Sequence, residues 1–330
     1  IQAFIGKNSF YSIEQGISFD EDLLKSVVEA WDACKKENML KPVNAHIGGY
    51  SEQNNRYEIV AETNGTQLDV NKLVLLACDT VGRGETVLDA DENGCYAEAE
   101  IKSDNKSLTD VVDKINRWLS TKITYDWNGT KVVLDHEILK DWITVEDGQA
   151  VLDEEKVSEF IKAQAKEHDT YGKKRKFMTT LGVELTLPSG YYGWKTDREK
   201  EKEELIELIY QGSVTEREPV YSSTAMQKGE SDIGNSYVEV DITHQHVYLY
   251  MDGELILETD CVTGNTSLDR ATPEGVFGVA YKQKGAVLRG RDYETPVTYW
   301  MPFYGNYGMH DAYWRSSFGG NIYKTNGSRG

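Results

Sequence analysis

The chain has 330 residues, 39% apolar and 28% charged, with 36 Lys/Arg against 55 Asp/Glu for a formal net charge of −19. That length and apolar content can fill two or three cores, while the acidic balance argues against a nucleic-acid partner, since a polyanion is bound through basic patches. From Pro219 onward 9 Lys/Arg meet 13 Asp/Glu, a net of −4, so −15 resides in the first 218 residues, where a solvated acidic surface is expected.

Residues 20–37 place Leu23, Leu24, Val27, Trp31 and Cys34 at helical spacing behind Asp20, which predicts an amphipathic helix with an acidic start. Short strands are expected over 42–50 and 56–62, then a turn at Asn64-Gly65 and a helix from about Leu68 to Val81. The pattern returns at an offset of 84 residues: a strand at 142–145, a turn at Asp147-Gly148, and a helix from Leu152 to about Glu167. Asp69 and Asp153 are the natural N-caps of the two helices. We read the recurrence as an internal duplication. Between the copies, helices are expected over 107–121 and 134–140.

After the second copy, 177–187 reads as a strand, Pro188-Ser189-Gly190 as a turn, and 197–211 as a charged helix stopped by Gly212. Tyr191, Tyr192 and Trp194 could stack on sugar rings, though core packing is the commoner use. The Glu, Ser and Gly content of 216–235 reads as a linker. From Tyr237 the apolar period becomes two. Strands are expected at 237–242, 247–251, 254–258, 276–281 and 298–300, with Asp252-Gly253 as a two-residue hairpin turn. The fold class is therefore multidomain: an α+β region over 1–215, a linker over 216–235, and a mainly β domain over 236–330, a β-sandwich or partly closed barrel.

Cys34, Cys78, Cys95 and Cys261 lack metal spacing, and any disulfide pairing among them is left open. Cys34 and Cys261 are expected as small buried hydrophobes. His244-Gln245-His246 puts two imidazoles on one strand face without a third ligand, so no metal is expected. No phosphate-binding glycine motif is present. No apolar run of about 18 residues occurs, so no transmembrane helix is expected in the sequence. The chain opens on Ile1, so any leader or membrane anchor would lie before that residue.

The densest chemistry lies at the end, from Met309-His310-Asp311 to Gly327-Ser328-Arg329-Gly330. Histidine is the side chain best suited to proton transfer near neutrality, and a Gly-Ser-x-Gly turn lets backbone N–H groups converge on an oxyanion. His310, a 17-residue spacer over 311–327, Ser328 and Gly330 resemble the signature of the L,D-transpeptidases, a His followed by Ser/Thr-His-Gly-Cys-x-Asn. Arg329 stands where that family has its second His, and the motif's cysteine would follow Gly330. The blocks Val262-Thr263-Gly264-Asn265, Thr272-Pro273-Glu274-Gly275-Val276-Phe277 and Tyr299-Trp300-Met301-Pro302-Phe303 extend the resemblance over 236–330, and the front of the chain resembles the family's tandem peptidoglycan-binding-type modules.

The resemblance implies that His310 takes the proton of a cysteine thiol, that Asp311 orients the imidazole or organises its loop, and that backbone N–H groups near Gly330 hold the oxyanion. Ser328 and Arg329 would form the near wall, with Arg329 on a substrate carboxylate. Tyr299, Met301, Phe303, Trp314 and Tyr323 would line the cleft. The implied reaction joins peptidoglycan stem peptides, donor and acceptor, by 3→3 cross-links with release of D-Ala, outside the cytoplasm. No metal or organic cofactor is implied, carbapenems would acylate the thiol, and glycan strands would be a further partner of the front region. Two rivals remain at this stage: a non-catalytic wall-binding protein of the same fold, and a sortase-like transpeptidase in which Arg329 is catalytic.

Overall fold

A computed structural model of the chain describes residues 18–229, 231–290 and 293–328. It divides into two compact units, Ile1–Arg117 with Ile143–Val151, and Trp118–Trp142 with Leu152–Gly330.

In the first unit, α1 (Glu21–Glu29) is capped by Asp20, whose carboxylate accepts the Leu23 N–H at 3.0 Å. The helix expected to reach residue 37 stops at Glu29. Its last turn carries no basic residue and ends on a carboxylate, which opposes the negative helix terminus. The chain continues as two short 3-10 turns, Asp32–Cys34 and Lys36–Asn38, which bury Cys34 and leave Trp31 49% exposed. A hairpin of β1 (His46–Ser51) and β2 (Arg56–Val60) follows, then α2 (Val70–Gly82). The core joins Val28 and Cys34 to Leu68, Leu73, Val74, Ala77 and Cys95. All four cysteines are free.

Next come α3 (Lys106–Leu119), β3 (Lys122–Trp127), β4 (Thr130–Leu134), α4 (His136–Leu139), and the hairpin β5 (Ile143–Glu146) and β6 (Gln149–Leu152). It leads into α5 (Glu154–His168). Asp69 and Asp153 cap α2 and α5 with nearly the same dihedrals, φ −79°, ψ 91° and φ −75°, ψ 94°. Each carboxylate accepts the N–H three residues on, from Lys72 and Lys156. The approaches differ: Leu68 makes a single antiparallel bridge to Tyr96, whereas β6 is half of a hairpin.

In the second unit, β7 (Arg175–Met178), β8 (Glu184–Leu187), β9 (Lys195–Thr196), α6 (Arg198–Gln211), β10 (Val214–Arg217) and β11 (Tyr221–Ser223) follow α5. The single strand expected over 177–187 is a hairpin, because Thr179 and Val183 close a turn through Gly182 (φ 75°). β10 lies parallel to β3 in a β10-β3-β4 sheet, over a core in which Ile123, Tyr125, Trp127, Leu134, Val157, Leu205 and Ile209 are fully buried.

Residues 216–235, expected as a linker, are built into this unit through β10 and β11. Their polar composition serves buried charges elsewhere. Glu201 of α6, fully buried, accepts the Tyr125 hydroxyl at 2.6 Å, the Val220 N–H at 2.7 Å and an Arg217 N–H at 3.1 Å. Asp232, also fully buried, binds Arg175 of β7 through both oxygens, at 2.6 and 2.7 Å.

Among the described residues, the mainly β part holds two antiparallel three-stranded sheets and no closed barrel. One is β12 (Tyr237–Asp241), β13 (His246–Met251) and β14 (Glu254–Asp260); the other is β15 (Gln283–Arg289), β16 (Glu294–Tyr304) and β17 (Tyr307–His310). Asp252 and Gly253 turn β13 into β14 with φ of 50° and 85°, the left-handed pair that matches strand twist. A helix the pattern did not signal, α7 (Ile322–Asn326), precedes Gly327. The expected strand at 276–281 does not form; only the Ala280 N–H bonds toward β16, at the Pro302 carbonyl.

That stretch is held against the 188–193 loop instead. A Cβ on Gly190 would lie 2.0 Å from the Val276 carbonyl oxygen, so the two backbones meet where only glycine fits. Beside them, the Tyr191 ring stacks on Tyr304 at 5.1 Å and 19°. Among the described residues, no helix is long and apolar enough to cross a membrane.

Candidate active site

His310 ends β17, directly opposite Trp300 of β16. Residues opposite one another in an antiparallel pair share a face. The imidazole accordingly lies 6.1 Å from the Trp300 ring and 6.0 Å from that of Trp314, at 41° and 24°. Gly308, two residues earlier on the same face, makes room for this: a Cβ there would lie 2.5 Å from the Trp300 indole. Trp300 was absent from the residues expected in the site. The parity of the β16–β17 pairing identifies it, but that pairing is not visible before the hairpin is known.

The same parity turns Tyr299 and Met301 to the opposite face of β16 from His310, while Phe303 falls at the register shift between Pro302 and Tyr304. Phe303 packs on Phe277 at 5.5 Å, and Tyr299 is 52% exposed. Tyr299 and Met301 do not share a face with the imidazole. Trp314 does flank it, while Tyr323 sits on α7, half-buried, with Lys324 Nζ 5.8 Å from its ring.

His310 Nδ1 lies 2.9 Å from the backbone carbonyl of Asp311. A carbonyl only accepts, so Nδ1 carries the proton and the lone pair is left on Nε2. The Asp311 carboxylate points away from the imidazole: it accepts the N–H groups of Thr298 and Tyr299, both at 2.8 Å. Burial pushes its pKa up, but those bonds outweigh burial and hold it below the usual carboxylate range. Asp311 therefore orients the imidazole through its backbone and anchors β16 through its side chain.

Ser328 arrives by a second route. It pairs in parallel with Gly264, donating its N–H to the Thr263 carbonyl and accepting the Asn265 N–H, each at 2.9 Å. Gly264 is obligatory, since a Cβ would lie 1.9 Å from the Arg270 carbonyl oxygen. Behind this pair is Gln245, fully buried. Its amide nitrogen donates to the Ile242 carbonyl at 2.7 Å and to Thr263 Oγ1 at 2.8 Å, and its oxygen accepts the Thr263 N–H at 2.8 Å. Gln245 was passed over in sequence as the middle of a His-x-His. Replacing it by methionine should leave these groups unsatisfied and cost on the order of 3 kcal/mol of stability, read by urea unfolding. A loss well under 1 kcal/mol would remove Gln245 from this role.

Arg315, in the segment after His310, donates from Nη2 to the Asn326 carbonyl at 2.8 Å and so ties that segment to the approach to Ser328. Burial alone pulls its guanidinium below its ordinary pKa. Cys261, beyond β14, is half-buried. Burial first, then Asp260 and Asp241, push its thiol up to about 11, which keeps it protonated at neutral pH and unsuited to act as a nucleophile. His244 and His246 bind separate carboxylates, Asp241 at 2.7 Å and Asp260 at 2.8 Å. Among the described residues, no three His, Cys, Asp or Glu converge as a metal site. Arg329 and Gly330 lie outside the described residues.

Residues 235–330 match the family model of the L,D-transpeptidase catalytic domain (YkuD), and 101–216 that of a "putative peptidoglycan binding domain". Among solved structures, the chain is similar to the Ldtfm–avibactam carbamoyl enzyme, with 34% identity over 68% of this chain and 88% of that one and a TM-score of 0.55. It is equally similar to a cysteine-to-serine variant of Enterococcus faecium L,D-transpeptidase, with 34% identity over 66% and 88% and a TM-score of 0.54. Comparison with curated proteins returned no match.

Proposed function

Because the chain belongs to the L,D-transpeptidase family, sharing 34% identity with a relative of which it covers 88%, we propose that it forms 3→3 peptidoglycan cross-links by acyl transfer through a cysteine thiolate. The observation that carries this is the His310 tautomer: Nδ1–H donates to the Asp311 carbonyl, leaving Nε2 as the basic nitrogen. The cysteine is the residue that the family motif places after Gly330, next to the docked Ser328 segment.

Nε2 takes the thiol proton, and the thiolate attacks the carbonyl carbon of the third residue of a tetrapeptide stem. The C–S bond forms, backbone N–H groups of residues 328–330 would stabilise the oxyanion, and the C–N bond to D-Ala breaks as the imidazolium returns its proton to the leaving amine. An amine of a second stem then attacks the thioester, gives up its proton, and releases the thiolate. Arg329 would face the substrate from the near wall. Covalent capture by avibactam in a relative agrees with acyl-type chemistry at such a thiol, and carbapenems belong to the same reading.

Peptidoglycan is the partner, and the cell wall outside the cytoplasm is the place of action, in keeping with both matched domains. The like-capped Asp69 and Asp153 helices support reading the front of the chain as two modules, with the family match covering the second. Incubating the gene product, motif cysteine included, with a disaccharide-tetrapeptide should release D-Ala and give a cross-linked dimer by mass spectrometry. A folded protein that releases no D-Ala overturns the proposal.

A further inference from the structure

Arg315 differs from four other arginines of the chain. Arg83, Arg175, Arg217 and Arg289 each have a carboxylate close by, at 3.0, 2.6, 2.7 and 3.1 Å. Arg315 is half-buried, yet among the described residues its only hydrogen-bond partner is the neutral Asn326 carbonyl, reached from one nitrogen. A guanidinium carries five N–H donors in a planar fork, and taking it out of water without a counter-ion is costly. In a chain with 55 Asp/Glu, a half-buried cation that meets no carboxylate among the described residues is poised for an anion from outside. Its place narrows the choice. It lies five residues past His310, and its one bond reaches the carbonyl two residues before Ser328, so it bridges the segments that bring up the base and the turn.

Resting on the transpeptidase reading above, we infer that Arg315 is the specificity-determining residue that binds the free carboxylate at the C-terminus of the donor stem. The departing residue of a tetrapeptide carries that carboxylate one peptide unit from the bond that breaks, and a guanidinium matches a carboxylate with two parallel hydrogen bonds. A stem extended by one more residue, or capped as an amide, has no anion at that point. The site would then select tetrapeptides by charge position rather than by side chain.

The test compares a tetrapeptide with its C-terminal carboxamide on the gene product, by D-Ala or D-Ala-amide release and by titration calorimetry. The native protein should favour the acid by on the order of 10- to 100-fold in kcat/KM, the effect of a charge-assisted bond. Arg315→Gln should abolish the preference, bringing acid and amide to the same kcat/KM, and Arg315→Lys should fall between. No native preference for the acid overturns the inference, as does an Arg315→Gln variant that slows acid and amide in equal proportion, which marks a residue that only braces the loop. Should Arg315→Gln fail to fold, the native comparison and Arg315→Lys still decide. Absence of turnover with either peptide counts against the reaction itself, and the two binding affinities then decide for or against Arg315.

Discussion

Replacing His310 by glutamine should lower D-Ala release by about 10²- to 10⁴-fold, the usual contribution of a positioned acid–base group. Glutamine can still donate an N–H toward the Asp311 carbonyl and occupy the space between Trp300 and Trp314, but it offers no basic nitrogen. The fold should therefore persist while proton transfer fails at both ends of the cycle, at the thiol and at the leaving amine. Two measurements separate these effects: turnover of the tetrapeptide, and the alkylation rate of the motif cysteine. The variant should be slower in both, with an unfolding midpoint close to that of the native protein. Near-native turnover would sink the assignment of His310 as base.

The largest expected stability effect lies far from that imidazole. Asp232 is fully buried and Arg175 nearly so, and the guanidinium also donates to the carbonyls of Thr170, Lys173 and Tyr192 and lies 5.5 Å from the Tyr192 ring. Arg175→Met would leave an uncompensated buried carboxylate, at a cost of about 3–5 kcal/mol. The double variant Arg175→Met with Asp232→Leu should recover part of that loss, because a buried pair is worth far less against apolar replacements than against its own half. Urea unfolding of the single and double variants gives both numbers. A single variant within about 1 kcal/mol of native would show that water reaches Asp232.

Local signals carried much of the framework. Asp20, Asp69 and Asp153 cap helices where their spacing predicts, Gly212 takes the left-handed cap of α6 at φ 67°, and Asp252-Gly253 turns a hairpin. What escaped depends on partners remote in sequence. The acidic and serine-rich 216–235 stretch resembles a connector until Arg217, Val220 and Asp232 meet charges buried in α6 and β7. The 276–281 run has strand-like residues, but it must skirt the backbone at Gly190. In the site, the sequence left open whether Asp311 orients the ring or organises its loop; the strand geometry gives the ring the Asp311 carbonyl and sends the carboxylate to β16. Trp300, Gln245 and Arg315 become legible only once strand parity, burial and the missing counter-ion are known.

The seat of the 188–193 loop on 275–278 has a mechanical meaning. A backbone contact that excludes even a methyl group, locked beside two stacked tyrosines, resists twisting between the helices and strands of 152–216 and the sheets behind them. Whatever polymer that part grips would be offered to the imidazole at one set pitch, as work is held in a jig, and not swept past it on a swinging arm.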